Sequence, residues 1–445
     1  QYWRHRDDDD GSHHTGWSVF AGLRRVVDQY ADRIDQLLGH SVWRLEALPD
    51  RGFRVFATSD DGALEILARA VVVATGACDR QLPFPGWTLP GVLTAGGAQA
   101  LLKGHGVVAG SRIAISGTGP FLPAVAAGLA AAGAKVVGVF EAGGAPIAFG
   151  WHPISVAKNS AKVLEGARYG KVFARHRIPY RTRTAVIAVS GTERVTGVVV
   201  AKLDRDWNVV DGTQRTIDCD TVAVGYGFTP QLELAIQLGC ATRMDQDSSL
   251  VTVVGVDQCS TVPGVYVAGE TTGIGGSALS VTEGELAGRH AARAATGAQL
   301  DARAVRQLVR RRRSQQKFAV ALLRAYPVRT GWMGWTDNTT VVCRCEEVTV
   351  ETIDHAVREL GAGDPRAVKL YARPGMGLCQ GRVCGYATSC LVADLAGRTP
   401  TVEDLRGVAS RPIAGPITLG ELAKDPQPGI EFQPSADPDN PGSHH

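Results

Sequence analysis

Residues 112–141 read RIAISGTGPFLPAVAAGLAAAGAKVVGVFE, and this stretch determines the fold of the chain. A short apolar run is followed by a glycine turn, an alanine-rich segment and a second apolar run, which is the pattern of a βαβ unit. The predicted elements are a strand over Ile113–Ser116, a turn at Gly117-Thr118-Gly119, a helix over Pro120–Ala132 and a strand over Lys135–Phe140. The sequence therefore predicts an α/β fold with a parallel sheet.

The glycine turn and the acid after the second strand indicate a nucleotide site. Gly117 and Gly119 would let a pyrophosphate approach the free amides at the helix N-terminus. Glu141, at the end of the second strand, can accept a hydrogen bond from a ribose hydroxyl. Leu122 stands where the full fingerprint has its third glycine. We predict a Rossmann unit. Whether this unit binds a dinucleotide stays open.

Two more apolar runs end in turns, at the place where ligands gather in open α/β sheets. These runs and the glycines after the second one are Ala70–Gly76, Val262–Glu270, Gly273, Gly275 and Gly276. Glu270 can hydrogen bond a polyol chain, and the start of the helix near Leu279–Ala295 can face a phosphate or a flavin ring. The alternative is a structural glycine turn with a solvated Glu270.

The rest of the chain predicts further helices and several β-rich segments. The predicted helices lie near Val19–Leu38, Pro153–Gly166 and Val305–Tyr326. The predicted strands are residues 53–59, Leu64–Leu67, Thr184–Val189, Val195–Leu203 and Ile217–Val224.

Four cysteines near the C-terminal end form two close pairs and are candidate metal ligands. They are Cys343, Cys345, Cys379 and Cys384. Four thiolates can hold a [2Fe-2S] cluster, and the glycines around the second pair let backbone amides approach the sulfur atoms. Cys384 lies at the start of a predicted helix, which favours a thiolate. A structural zinc site and a group of buried free cysteines are the alternatives.

Composition limits the function classes. The chain has 445 residues and a formal net charge of +3, which predicts an ordinary globular protein with no role in nucleic-acid binding. The basic run Arg310–Arg313 lies in a predicted helix and is interpreted as a solvated face. No apolar stretch is long enough for a membrane-spanning helix, and the polar start predicts no secretory signal. Peripheral membrane association stays open.

The other thiols and the histidines are not predicted to bind metal. Five cysteines are isolated in sequence or lie in an apolar context, which is typical of a reducing cytoplasm. These are Cys78, Cys219, Cys240, Cys259 and Cys390. His5, His13 and His14 have no acidic or cysteine partner in register, so we interpret them as loop or substrate-cleft residues.

Several segments together resemble a known family. They are Ala74–Ala77, Pro83–Val92, Thr94–Leu101, Gly225–Phe228 and Gly269-Glu270. They resemble the FAD/NAD(P)-binding large subunit of opine oxidases, hydrogen cyanide synthase and dye-linked proline or hydroxyproline dehydrogenases. The cysteine region is similar to the bacterioferritin-associated-ferredoxin type of [2Fe-2S] module. The likeness covers nearly the whole chain.

The resemblance implies a two-dinucleotide-binding flavoprotein of the glutathione-reductase type with a small α-rich [2Fe-2S] domain. By this likeness FAD is lined by Thr75, Gly76, Gly269, Glu270, Gly275 and Gly276. The second nucleotide site, for NAD(P) or another adenine nucleotide, is lined by Gly117, Gly119 and Glu141. The implied domains are 1–109 and 225–300 for FAD, 110–224 for the nucleotide, a linker over 301–340, the cluster domain over 341–408 and a partly disordered tail over 409–445.

The chain departs from this family at two places. Glu270 stands where the superfamily usually has Asp, and its longer side chain is expected to shift the ribitol contact. Members begin with a βαβ unit that holds the ADP half of FAD, and the first residues of this chain resemble the segment after that unit. We therefore expect that the first βαβ unit, about forty to fifty residues, is missing ahead of Gln1, and that FAD is poorly retained.

The resemblance implies an electron-transferring subunit of a hetero-oligomeric dehydrogenase or oxidase. A companion flavin-dependent subunit would oxidise an amine, imino acid or opine, and a further partner would be a small ferredoxin-like subunit. Electrons would pass from flavin to the [2Fe-2S] cluster and an acceptor. The alternatives are a self-sufficient NAD(P)H-dependent reductase and a non-catalytic nucleotide-binding assembly subunit. No catalytic residue is predicted.

Overall fold

The computed structural model describes residues 16–49, 52–144 and 169–423. Several sequence predictions lie outside these residues: the role of His5, His13 and His14, the helix over Pro153–Gly166, and residues 424–445 of the partly disordered tail. In the part of the chain that is described, no helix is both long enough and apolar enough to cross a membrane.

The N-terminal part contains one helix, a meander and two short strands. These elements are α1 (Trp17–Gln29), β1 (Ser41–Ala47), β2 (Phe53–Ser59), β3 (Gly62–Ala68), β4 (Val71–Val73) and β5 (Ala77–Asp79). Strands β1, β2 and β3 form an antiparallel sheet. Helix α1 ends before the predicted Leu38, because residues 30–38 are all exposed and offer no tertiary packing for further turns.

The predicted βαβ unit is confirmed. It lies in a run of alternating elements: β6 (Val92–Thr94), α2 (Ala95–His105), β7 (Arg112–Gly117), α3 (Phe121–Ala131), β8 (Lys135–Glu141) and β9 (Tyr180–Thr182). Ile113 and Ile115 on β7 are fully buried in one core with Leu122 and Leu129 of α3. The apolar runs therefore form strands because both faces of this sheet are covered.

A three-stranded antiparallel sheet follows and leads back to the parallel sheet. Its strands are β10 (Thr184–Ser190), β11 (Gly197–Lys202) and β12 (Arg215–Asp218), and β13 (Thr221–Gly225) comes next. Strand β13 inserts between β6 and β7, which gives the parallel order β6-β13-β7-β8-β9.

The prediction of a single strand over Ile217–Val224 is wrong, because the stretch supplies one strand to each of two sheets. The break comes just before Asp220. The Asp220 carboxylate accepts hydrogen bonds from the backbone amides of Ser111 and Arg112 at 3.0–3.1 Å. These bonds tie the crossing point to the start of β7, and an alternation pattern gives no signal for such a crossing.

The chain then returns to the N-terminal part. The elements are β14 (Phe228–Pro230), α4 (Glu233–Gln237), β15 (Thr242–Met244), β16 (Leu250–Thr252), β17 (Val265–Val267), a 3-10 turn (Gly269–Thr272), α5 (Ser277–Thr296) and α6 (Ala302–Ala325). Strand β17 pairs in parallel with β4, and β14 pairs antiparallel with β5. The two turn-bearing strands β4 and β17 therefore end side by side.

The C-terminal part is small and mostly helical. It contains a 3-10 segment (Thr330–Trp335), β18 (Val341–Cys343), β19 (Val348–Thr349), α7 (Val350–Arg358), α8 (Pro365–Ala372), α9 (Gly385–Leu395), α10 (Val402–Ala409) and α11 (Leu419–Leu422). Thr349, whose place before the apolar positions Ile353, Ala356 and Val357 predicts an N-cap, accepts a hydrogen bond from the Thr352 amide at 3.2 Å. Ile353, Val368 and Val392 share one core cluster with Val222 and Val224 of the central sheet. The cysteine-bearing part is thus packed onto the rest of the molecule.

Candidate functional site

The turn after β7 is shaped by two glycines that meet from neighbouring strands. Gly117 has φ +145°, and a Cβ there would lie 1.8 Å from the carbonyl oxygen of Gly225 at the end of β13. The Thr118 amide donates to that same oxygen at 2.8 Å. Gly119 has φ +115° with open space beside it. Gly117 is therefore needed for strand packing, whereas Gly119 leaves backbone accessible to a ligand.

Glu141 at the end of β8 is fully buried and already bonded. One of its carboxylate oxygens accepts from the Gly119 amide at 3.0 Å, and the other accepts from the Gly143 amide at 2.8 Å. The Tyr180 hydroxyl is a further partner. Burial raises the pKa of Glu141 to about 7. Its role at a ribose stays a prediction, and that role would require these bonds to rearrange.

Thr75 and Gly76 form a turn that is held by the segment before α4. The Thr75 hydroxyl donates to the backbone oxygen of Gln231 at 2.6 Å. The Gln231 amide donates in return to the carbonyl oxygen of Gly76 at 2.9 Å. Gly76 has φ +73°, a conformation that favours glycine. The two residues lie at the carboxyl end of β4, as the sequence predicts.

The turn after β17 is fixed by a glutamate that the sequence patterns did not predict. Glu283 on α5 is buried, and one of its oxygens accepts from the Gly269 amide at 3.1 Å and from the Thr272 hydroxyl at 2.9 Å. Its other oxygen accepts from Arg312 Nε on α6 at 3.2 Å. This buried ion pair fixes Gly269–Thr272 against two helices. The acid and the turn are 14 residues apart and no motif joins them.

Glu270 lies in that turn and caps the next helix. One of its carboxylate oxygens accepts from the Gly276 amide at 2.7 Å, directly before α5. Burial raises the pKa of Glu270 above its ordinary value, and the Gly276 and Gly275 amides act in the opposite direction. The N-cap of this helix, Gly276, supplies no side-chain hydrogen bond, so the first amides of the helix keep free donor capacity.

A cavity of about 900 Å³ brings the two predicted nucleotide sites together. Gly119 lines it from one side, and Glu270, Gly275 and Gly276 line it from the other. The other predicted residues do not line it: Gly117, Glu141 and Gly269 are buried in the turns, whereas Thr75 is exposed and Gly76 is half-buried. The aromatic members of the wall, which the sequence patterns did not predict, are Phe121, Tyr169, Phe173, Tyr180, Tyr226, Phe228, Phe318 and Tyr326. A flat, largely apolar group fits this lining.

The four cysteines form two pairs across the two loops. The thiols of Cys343 and Cys384 are neighbours that act on each other, and Cys345 and Cys379 form a second such pair. The Cys384 thiol, and after it the Gly375 amide, lower the pKa of Cys343 to about 5. The two pairs also act on each other, since Cys343 influences Cys345 and Cys379 influences Cys384. Four neighbouring thiols from two loops are the ligands that a [2Fe-2S] cluster needs, so the residues present fit that group.

Glycines make room around these thiols. The Gly375 amide donates to the Cys343 sulfur at 3.4 Å. A Cβ at Gly377 would lie 2.2 Å from the Cβ of Cys345, and Gly381 has φ +78° beside the Gly375 backbone. The close approach of backbone to sulfur that the sequence predicts is therefore confirmed for Gly375 and Gly377.

The chain is similar to known proteins over most of its length. Residues 3–298 match the family described as pyridine nucleotide-disulphide oxidoreductase, and residues 341–393 match the BFD-like [2Fe-2S] binding domain. The hydrogen cyanide synthase subunit HcnB of Pseudomonas aeruginosa is 35% identical over 384 residues, which are 83% of this chain and 79% of that protein. An opine oxidase subunit of Rhizobium meliloti is 32% identical over 423 residues, 91% of this chain and 76% of that protein.

A solved structure shares the fold. The L-proline dehydrogenase from P. horikoshii superimposes with a TM-score of 0.61 at 20% identity, over 90% of this chain and 69% of that chain. The predicted fold class and family are confirmed. The chain therefore belongs to the pyridine nucleotide-disulphide oxidoreductase family, alongside HcnB and the opine oxidase relative, and is an oxidoreductase whose two matched domains imply FAD and a [2Fe-2S] cluster.

Proposed function

We propose that this chain is the electron-transferring flavoprotein and iron–sulfur subunit of a hetero-oligomeric dehydrogenase or oxidase. A companion flavin-dependent subunit would oxidise the C–N bond of an amine, imino acid or opine. HcnB and the opine oxidase relative are named as subunits of larger enzymes, which supports a companion subunit here. A small ferredoxin-like subunit is a further proposed partner.

One observation carries this proposal: a cofactor-sized cavity and a [2Fe-2S] module are packed directly against each other in one chain. Phe228 of β14 lines the cavity, while Cys78 on the paired strand β5 points to the carbonyl of Arg382 in the cluster loop. The cavity wall and the cluster loop therefore share the β5–β14 strand pair. Such an arrangement serves electron transfer better than it serves a purely structural cluster.

The residues have separate proposed roles. FAD would be held by Thr75, Gly76, Gly269, Glu270, Gly275 and Gly276, the second nucleotide by Gly117, Gly119 and Glu141, and the cluster by Cys343, Cys345, Cys379 and Cys384. Glu270 would orient the cofactor at the helix start, and Glu283 would hold the turn that carries it. The flavin would supply two-electron chemistry and the cluster one-electron transfer. The aromatic wall would exclude water from the cavity.

The proposed domains follow the same division of roles. Residues 1–109 and 225–300 would form the FAD-binding domain, 110–224 the nucleotide-binding domain and 341–408 the cluster domain, with a linker over 301–340. None of the nine cysteines, all of which lie in the described ranges, forms a disulfide, which supports a proposed location in the cytoplasm.

Electron paramagnetic resonance of the dithionite-reduced, anaerobically purified protein tests the cluster. We expect a rhombic signal from one reduced [2Fe-2S] centre, and we expect Cys379→Ser to abolish it. Cys259→Ser is the matched control, since this partly exposed thiol lies beside β17 and should leave the signal intact. Zinc in place of iron by elemental analysis, with no signal, would make the cysteine site structural.

A second assay tests the reaction class. The complex with its companion subunits should reduce an artificial dye when given a secondary amine. Rapid bleaching of the flavin by NADH alone would instead support a self-sufficient reductase. That alternative requires Glu141 to exchange its two amide partners for a ribose, so Glu141→Gln would alter the NADH response.

A further inference from the structure

A buried arginine connects the cavity wall to the cluster domain. Arg80 follows β5 directly, has a relative exposure of only 1%, and lines the 900 Å³ cavity. Its guanidinium donates to the backbone oxygen of Asp247 at 3.0 Å and to that of Phe228 at 3.1 Å. It also pairs with the Asp247 carboxylate at 3.0 Å and donates to the Ser249 hydroxyl. These bonds fix one planar cation at one place.

The face of this guanidinium is covered by an aromatic ring from the cluster domain. The guanidinium carbon of Arg80 lies 4.2 Å from the ring centroid of Tyr386. Tyr386 is in the first turn of α9, two residues after the cluster ligand Cys384. A cation this close to a ring face is attracted to it, and the attraction is larger away from water. The stack is therefore a fixed contact.

A second ion pair holds the same two parts together. Arg382, between the ligands Cys379 and Cys384, pairs with Glu233 of α4 at 3.0 Å. Its guanidinium also donates to the backbone oxygens of Cys379 and Ala414. The cluster loop is thus fastened beside β5 and β14 independently of Arg80. This second attachment means that the Arg80–Tyr386 stack can be altered while the two parts stay docked.

We propose that the Arg80–Tyr386 stack is the electron-transfer contact between the flavin cavity and the [2Fe-2S] cluster, an inference that rests on the proposed function. Arg80 lines the cavity at one end, and Tyr386 lies two residues along the chain from Cys384 at the other. The stack therefore lies between the two proposed cofactor sites, with 4.2 Å between the guanidinium carbon and the ring centroid. Arg80 and Tyr386 act here as positioning residues and are neither oxidised nor reduced.

The electron count sets what else the step needs. Oxidation of a C–N bond to an imine releases two electrons and two protons. A [2Fe-2S] cluster takes one electron, by which one ferric iron becomes ferrous. Each reduced flavin must therefore pass its electrons singly, release its protons to solvent, and wait while a one-electron acceptor or a quinone reoxidises the cluster. The contact is used twice in each turnover.

The test measures how fast reduced flavin transfers an electron to the cluster in the holoprotein with its companion subunits. The flavin is photoreduced under anaerobic conditions with EDTA as the sacrificial electron donor, and the cluster signal is followed by freeze-quench electron paramagnetic resonance. Tyr386→Leu removes the ring and should slow the signal by about tenfold or more. Tyr386→Phe keeps the ring and should stay within about twofold of wild type. Tyr371→Leu, at a tyrosine that is 58% exposed on α8, is the matched control and should change nothing.

Two further readouts separate electron transfer from folding. The midpoint potential and spectrum of the cluster should be unchanged in Tyr386→Leu, because the ring carries no net charge. If that variant does not load its cluster, Arg80→Lys decides, since lysine keeps the charge beside Asp247 but not the planar face. A loaded variant that fills its cluster at the wild-type rate would overturn this inference alone. A wild-type protein that binds no flavin or no cluster would overturn the proposed function instead.

Discussion

Two places in this molecule pair a glycine turn with a glutamate at the end of a parallel strand, and they differ in what the glutamate contacts. Glu141 ends β8, inside the five-stranded sheet, and both of its carboxylate oxygens accept hydrogen bonds from backbone amides. Glu270 follows β17, in a two-stranded pair, bonds the Gly276 amide and lines the cavity. In sequence the two acids are equivalent, yet one is an internal brace and the other is at the cavity surface.

The contrast shows that the neighbours of a strand decide what its terminal acid can do. Strand β8 lies between β7 and β9, and Tyr180 of β9 covers Glu141 from the side. Beside β17 the brace is supplied by a second acid, Glu283, which bonds the turn from α5. Glu270 is thereby left to face the cavity. One turn uses the acid of its own motif as the brace, whereas the other has a dedicated one.

The strongest effect is expected from removing that dedicated brace. Glu283→Ala leaves Arg312 buried without its ion-pair partner, which should lower the free energy of unfolding by about 3–5 kcal/mol. The loss is measured as reduced hydrogen-exchange protection of the α5 and Gly269–Thr272 amides. Glu285→Ala is the control on the same helix, since its exposed pair with Arg289 should contribute under about 0.5 kcal/mol. Equal protection in both variants would mean that Glu283 does not hold the turn.

The sequence was sufficient where the decisive contacts are local. The βαβ unit over residues 112–141, the Thr349 cap and helix α6 follow from short apolar and polar patterns, because neighbouring residues determine them. The cysteine-bearing domain was identified because two loops each carry a close pair of cysteines, and the matched BFD-like domain confirms it. The composite pattern of turns and cysteines also identified the family, which the matched domains confirm.

The residues that sequence reasoning missed depend on distant partners. Arg80 finds Asp247 167 positions away, and Glu283 finds Arg312 29 positions away on another helix. Each of these side chains looks like an ordinary surface charge in the sequence. Only the fold buries them, and a buried charge is kept only with a partner. The same limit explains why the burial of Glu141 could not be foreseen.

A pH titration tests the contrast from the side of Glu141. Burial raises the pKa of Glu141 from 4.5 to about 7, so the folded protein binds this proton more tightly than the unfolded chain. The resulting stability is fully present below pH 4.5 and is lost as the pH rises through about 7. At about 1.36 kcal/mol for each pH unit, the interval between the two pKa values corresponds to about 3 kcal/mol of unfolding free energy.

Glu141→Gln should remove this dependence, because glutamine does not titrate. The urea midpoints of wild type and variant are measured from pH 4.5 to about one pH unit above the raised pKa of about 7. The difference between the two midpoint profiles is attributed to Glu141. Glu285→Gln is the control and should follow the wild-type pH profile. A wild-type profile retained in Glu141→Gln would show that other groups carry the pH dependence.

The smallest effect distinguishes the cavity-facing acid by its ligand. Glu270→Ala should weaken FAD binding by about tenfold, which corresponds to about 1.4 kcal/mol for one hydrogen bond to a charged group. Glu270→Asp should lose the Gly276 contact as well, because a carboxylate one methylene shorter does not reach the amide that now lies at 2.7 Å. Glu141→Gln should leave the FAD dissociation constant within about twofold of the wild-type value, since the Glu141 carboxylate lies behind the cavity wall.

Flavin fluorescence during titration of the apoprotein gives the dissociation constants of all three variants. Equal weakening by the Glu270 and Glu141 variants would mean that the two acids serve one shared site, and the division between brace and ligand would have to be abandoned.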